Sequence, residues 1–204
     1  MSNTKKAYVH HHCRICVMGL RGVGKTSFVR SAVNGSNDPK VSLFLIRTPR
    51  ERKKNAKRRT QGAKDDSLED SYILEYGSNS SSVVGEILDT RGDLHTLMKQ
   101  HFFKHLSHSD GFVLVFSIDN DDSFEYLKEV CIDIHSHAYG NVPILIVCNK
   151  CDLEHDRKVS VKAMDHFMSN VKCKLLNTSV SFYLVCSFIF IKIKKKLTQK
   201  TDTV

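Results

Sequence analysis

Residues Gly19 to Ser27 read GLRGVGKTS. Gly19, Gly24, Lys25 and Thr26 satisfy G-x-x-x-x-G-K-[ST], a spacing in which backbone N–H groups converge on phosphate oxygens while the lysine and the hydroxyl serve the terminal phosphates and Mg²⁺. The flanks agree with that reading. Cys13 to Met18 (CRICVM) has the short apolar texture of a strand, and Thr26 to Val33 (TSFVRSAV) places Phe28, Val29 and Ala32 on one side of a helix. Strand, phosphate loop and helix follow one another directly. Arg21 is the unexpected residue, a large cation among glycines that leave room for a ligand.

The same rhythm continues downstream. Gly111 to Ile118 (GFVLVFSI) and Val142 to Cys148 (VPILIVC) have the apolar, β-branched composition of strands covered on both faces. Helical patterns alternate with them. Asp122 to Glu125 (DSFE) has the capping-box form, opening a helix whose Phe124, Leu127, Cys131 and Ile134 share a face. Ser160 to Val171 repeats the design with Val161, Met164, Phe167, Met168 and Val171. The alternation predicts an α/β fold, a mostly parallel sheet with its ligand at the carboxyl ends of the strands.

A chain of 204 residues supports one well-cored domain. No stretch reaches the roughly 18 apolar residues of a spanning helix, and the basic start at Lys5 and Lys6 leads into histidines rather than an apolar run, so neither a membrane span nor a signal peptide is expected. Seven cysteines, odd in number and scattered through apolar segments, suit reduced core thiols and a cytoplasmic or nuclear compartment. The net charge of +9 is local: Lys40 to Lys64 holds ten basic residues and one acid, which accounts for all of it. Such a block reads as a solvated insertion. It lacks the interleaved aromatics that would stack on bases, so no nucleic-acid partner is expected.

Three further motifs lie in order: SLEDSY at Ser67 to Tyr72, DTRG at Asp89 to Gly92, and NKCD at Asn149 to Asp152. In NKCD, the Asp152 carboxylate suits the N1–H and N2 amino edge of guanine, which adenine cannot supply. Together with NTSV at Asn177 to Val180, the chain resembles a Ras-like small GTPase from about Cys13 to Ser179. The resemblance implies the P-loop G domain, a six-stranded, mostly parallel sheet with one antiparallel strand and flanking helices. DTRG followed by HFFKHLSHSDGFVLVFSIDNDDSF is most similar to the NF-kappa-B inhibitor-interacting Ras-like branch.

That resemblance assigns roles residue by residue. Gly19, Gly22, Gly24, Lys25 and Ser27 line the phosphates of GTP or GDP, and Gly92 offers its amide to the γ-phosphate. Thr26, Ser67 and Asp89 attend Mg²⁺. Asn149, Lys150, Asp152, Ser179 and Val180 hold the base. Ser67 to Tyr72 and the DTRG region form the docking surface for effector or inhibitor proteins, including inhibitors of NF-kappa-B.

Two departures bear on turnover. Asp93 follows DTRG where hydrolysing relatives place a glutamine that orients the attacking water, and a carboxylate there is repelled by phosphate. Arg21 obstructs the space that water and a partner's arginine finger enter. Intrinsic turnover with the glutamine is only about 3–5 × 10⁻⁴ s⁻¹, so slow or impaired hydrolysis is expected. A second reading makes Arg21 or Arg91 an arginine finger in cis. A third makes the fold a nucleotide-free scaffold, against which the intact Lys25, Thr26, Asp89, Asn149 and Asp152 stand.

The implied layout is a tail at 1–12, the G domain at 13–179 with a basic insertion at 35–66, and an apolar then lysine-rich tail at 180–204. From Lys25 to Ser67 the interval is 67 − 25 = 42 positions, about twice the family's usual one. After NTSV an unpatterned apolar run replaces the family's final amphipathic helix. Lys192, Lys194, Lys195 and Lys196 beside that run, without a terminal lipidation cysteine, give weak or no membrane association. The final TDTV matches the pattern that PDZ domains accept. His101 and His105, four apart, read as a solvated helix face, and the His10 to His12 run with Cys13 and Cys16 lacks the second ligand pair of a zinc site.

Overall fold

The computed structural model describes residues 9–34, 41–42, 69–78, 81–92, 99–138, 142–171 and 174–177. Its elements run β1 (Val9–Met18), α1 (Lys25–Asn34), β2 (Val41–Ser42), β3 (Glu69–Ser78), β4 (Ser81–Thr90), α2 (Lys99–His108), β5 (Gly111–Ser117), α3 (Asp121–His137), β6 (Ile144–Asn149), α4 (Val161–Asn170) and β7 (Lys174–Asn177). They form one sheet in the order β2-β3-β4-β1-β5-β6-β7. β4, β1, β5, β6 and β7 are parallel; β3 pairs antiparallel with both β2 and β4, so β3 alone runs against the rest. This is the expected α/β architecture. It holds one strand more than the six anticipated, because Val41 and Ser42 pair with Tyr76 and Glu75 at the sheet edge.

Burial explains why the central strands are apolar throughout. Every residue of β5 is buried, and so are Ile144 to Cys148 of β6. Cys16, Met18, Phe112, Leu114, Phe116, Ile146 and Cys148 share one core with Phe102 and Leu106 of α2, Phe124, Leu127, Cys131 and Ile134 of α3, and Met164 of α4. The alternate residues Ile15, Val17, Val113, Val115, Leu145 and Val147 face the other way and are equally buried, at 1% exposure or less. Strands enclosed on both sides lose the polar alternation that a half-exposed strand would show.

Four local expectations need correction. β1 begins at Val9, four residues before Cys13, because backbone pairing of Val9 to His12 with Ser81 to Val84 does not depend on apolar side chains. α3 is capped by Asn120, not by Asp122: Asn120 is extended, its side chain accepts from Ser123 N, and Ser123 Oγ donates to Asn120 O at 2.6 Å. Asp121 and Asp122 instead occupy the first turn, where negative charge complements the helix dipole. His105 is buried at 6% exposure, since it shares a helix face with Phe102 and Leu106 and travels with them onto the sheet. Val161 is 51% exposed and nothing nearby accounts for an apolar residue there. The Ser160 cap is as expected, accepting from Ala163 N at 3.1 Å.

The described cysteines are thiols, and Cys13, Cys16, Cys131 and Cys148 are buried. Burial first, with the Asp110 carboxylate second, pushes Cys13 from the ordinary 9.0 up to about 12; burial and then the Cys151 neighbour do the same to Cys148. The folded chain therefore holds these protons more tightly than the unfolded chain does. Their contribution is intact below the ordinary value of 9.0 and is lost as the pH climbs toward about 12. Each thiol removes up to about 1.4 kcal/mol of stability per pH unit in that window. Urea unfolding followed at about pH 8 and about pH 10 should show this loss, and Cys13→Ala should reduce the difference between the two pH values.

Candidate functional site

The carboxyl ends of β4, β1, β5 and β6 stand side by side, and the loops leaving them form one surface. The loop after β1 is shaped by Gly19 (φ 152°), Gly22 (φ 85°) and Gly24 (φ 92°), conformations that suit glycine. Two of these glycines also stand where a side chain would clash. A Cβ on Gly19 would collide with the Val115 carbonyl, and one on Gly24 with the side-chain amide of Asn149. At Gly22, among the described residues and apart from its chain neighbours, no atom lies within 4 Å of the Cβ position. Lys25 opens α1 and is buried at 7% exposure, its ammonium donating to the Gly19 and Leu20 carbonyls at 2.9 Å each. Those bonds tie the loop to the first turn of the helix. Ser27 is exposed.

β4 delivers the next group. Asp89 is buried, and its Oδ2 accepts from the Thr26 hydroxyl at 2.6 Å. Thr90 Oγ1 donates to Val17 O at 2.7 Å, fixing the end of β4 on β1. Gly92 then passes so close to the glycine loop that a Cβ would collide with the backbone of Leu20 and Arg21. Arg21 and Arg91 are both exposed on this surface.

β6 delivers the third group. Asn149 Nδ2 donates to Val23 O at 2.7 Å, binding the turn after β6 to the glycine loop. Lys150 takes a left-handed conformation, φ 59°, uncommon for a residue with a side chain. Its ammonium lies 3.0 Å from Asp119 Oδ2, and Asp119 also accepts from the Ser117 hydroxyl. Asp152 is exposed on the same turn.

A sequence profile of the Ras family matches residues 42–199. The chain belongs to the Ras family. It is also similar to the Ras-like protein rasU of Dictyostelium discoideum, 24% identical over 188 residues that cover 92% of this chain and 76% of that protein. The profile match begins beyond the glycine loop, so Gly19 to Ser27 stands on its own motif and on the geometry above. Ras-family proteins generally bind GTP or GDP with Mg²⁺, and this chain is a small GTPase of that GTP-binding switch class.

The residues present fit such a ligand. The glycine loop holds a buried ammonium at its base, a group that suits phosphate. A hydroxyl and a carboxylate 2.6 Å apart form the hard oxygen set that suits Mg²⁺. Of the residues named from the sequence, Ser67, Asp93, Ser179 and Val180 lie outside the described residues. Two supporting residues escaped the sequence reading. Asp119 and Ser117 lie at the end of β5 in SIDN, where polar residues directly after a buried strand were the available signal.

Gly24→Ala should displace Asn149 from Val23 and strain the loop, costing about 1–3 kcal/mol of stability and at least about tenfold in GTP affinity. Asp119→Asn replaces the ion pair with Lys150 by a weaker bond from the ammonium to a neutral amide oxygen, so GDP release should quicken by about fivefold with little loss of stability. Fluorescent GDP dissociation and thermal unfolding of the two variants measure both effects.

Proposed function

We propose that this Ras-family chain is a switch that holds GTP for long periods because its own hydrolysis is slow. The observation that carries this reading is Arg21, an exposed side chain on the glycine loop where that loop meets Gly92. A guanidinium there crowds the approach of a water or a partner's arginine to the terminal phosphate. Asp93, next in the chain, supplies a carboxylate where an amide would orient that water.

In this reading Lys25 and the amides of Gly22, Gly24 and Ser27 hold the phosphates, and Gly92 reaches the γ-phosphate. Thr26, Asp89 and Ser67 hold Mg²⁺, which when bound neutralises charge on the phosphate oxygens. Serine at 67 keeps the hydroxyl that relatives supply from threonine but lacks its methyl, so this switch segment is held less firmly. Asn149 braces the base turn, Asp152 accepts from guanine, and Lys150 lies along the purine with Ser179 and Val180 beyond it.

Partner contact is assigned to Ser67 to Tyr72 and the DTRG segment. β2 pairs with β3 only at Tyr76 and Glu75, so among the described residues no strand lies outside Glu69 to Leu74. An effector that adds a strand would fit there. The similarity of DTRG and its following helix to the NF-kappa-B inhibitor-interacting branch makes inhibitors of NF-kappa-B the partners to test, in the cytoplasm. The domain limits proposed are 13–179 for the G domain, with TDTV offering a separate PDZ contact.

Nucleotide extracted from the purified protein should be mainly GTP. Single-turnover hydrolysis of preloaded GTP should run below about 3–5 × 10⁻⁴ s⁻¹, and Arg21→Gly with Asp93→Gln should bring it up to that value. Predominant GDP in the purified protein would sink this reading. A slower rate in Arg21→Gly alone would transfer the role to an arginine finger in cis.

A further inference from the structure

β5 reads GFVLVFS, and its last residue is the exception. Ser117 is as deeply buried as the apolar positions before it, at 0% exposure. A hydroxyl taken out of water at such a place needs a partner inside the protein. Ser117 Oγ finds one in a charge: it donates to Asp119 Oδ1, while Asp119 Oδ2 lies 3.0 Å from the Lys150 ammonium. Each carboxylate oxygen therefore serves a different group, one inside the fold and one on the turn after β6.

Ser117 is itself held from two sides. Its N–H donates to Ser123 Oγ at 3.1 Å, and Ser123 is fully buried at the start of α3. On the other side Ser117 stands level with Asn149 of β6, and the next residue, Ile118, donates its N–H to Asn149 O at 3.2 Å. The Asp119–Lys150 pair has no such shelter. Its side chains are 23% and 33% exposed, where an ion pair is screened by water and contributes little unless one partner is fixed in advance. The buried hydroxyl supplies that fixing.

We propose that Ser117 is a positioning residue for retention of the guanine base. Its hydroxyl sets the orientation of the Asp119 carboxylate, and the carboxylate holds Lys150 in place on the turn. Ser117 touches no nucleotide and acts through Asp119. Lys150 has a left-handed backbone, φ 59°, so its side chain leaves the turn in a direction that an unanchored lysine would not keep. The assignment rests on the reading above in which the Lys150 stem lies along the purine.

Release of preloaded fluorescent GDP and of its inosine counterpart is followed in the full-length protein. Ser117→Ala should release both about threefold faster than the wild type, with an unchanged thermal midpoint. The ratio between the two nucleotides should stay as it was, because the purine face is common to them, whereas Asp152→Ala should bring their rates together. Asp119→Ala should accelerate release about fivefold, and adding Ser117→Ala to it should change nothing further, as expected of residues acting in series. Ser117→Thr, which keeps the hydroxyl, should release GDP at the wild-type rate; where its extra methyl lowers the thermal midpoint, the double variant decides. Unchanged release in Ser117→Ala, or effects of Ser117→Ala and Asp119→Ala that multiply to about fifteenfold, overturns the role of Ser117. Lys150→Ala separates this failure from that of the underlying reading. If it leaves release unchanged, Lys150 does not hold the purine and the reading itself falls; if it accelerates release while Ser117→Ala does not, only the positioning role of Ser117 is lost.

Discussion

A hydrogen bond joins the halves of the site: the Asn149 side-chain amide donates to the Val23 carbonyl at 2.7 Å across 126 positions of sequence. β1 and β6 are not neighbours, because β5 lies between them. The bond is possible because β6 continues to Asn149, past the Ile146 level at which β1 ends, and because Gly24 has no side chain to hold Asn149 away. That contact ties the glycine loop directly to the turn after β6 and fixes the spacing between them. Thr26 to Asp89 and Thr90 to Val17 do for β4 what Asn149 does for β6.

Most of the fold was legible because its central strands are buried on both faces and its helices carry regular apolar stripes. Gly111 to Ser117 and Ile144 to Cys148 could be read from their texture alone. The glycine loop and NKCD were legible for another reason, since their chemistry demands particular residue types at fixed spacing. What escaped were features set by backbone or by neighbours. The pairing of Val9 to His12 depends on β4, and no periodicity within 9–12 announces it. Asn120 outcompetes Asp122 as a cap because of where the chain leaves β5. His105 is buried because Phe102 and Leu106 decide the orientation of α2. Asp119 gains meaning only when Lys150 folds back toward it.

In the proposed reading the site separates retention of a ligand from its conversion. Lys25, Thr26, Asp89, Asn149 and Lys150 are each fixed by at least one hydrogen bond to another loop or strand. Arg21 is exposed beside them, with only its backbone locked against Gly92. Such a division lets one loop keep its affinity while its reactivity varies, because the side chain at 21 is not part of the framework that shapes the loop.

The two-residue β2 has a consequence for anything that seats on the sheet edge. It occupies the outside of β3 at Glu75 and Tyr76 and leaves the stretch from Glu69 to Leu74 beside it. A strand sliding along β3 toward its carboxyl end would run into β2 there. For a partner strand docked as proposed, and among the described residues, β2 would act as a doorstop, limiting the segment to about six residues and fixing the register in which its side chains alternate between the two faces of the sheet.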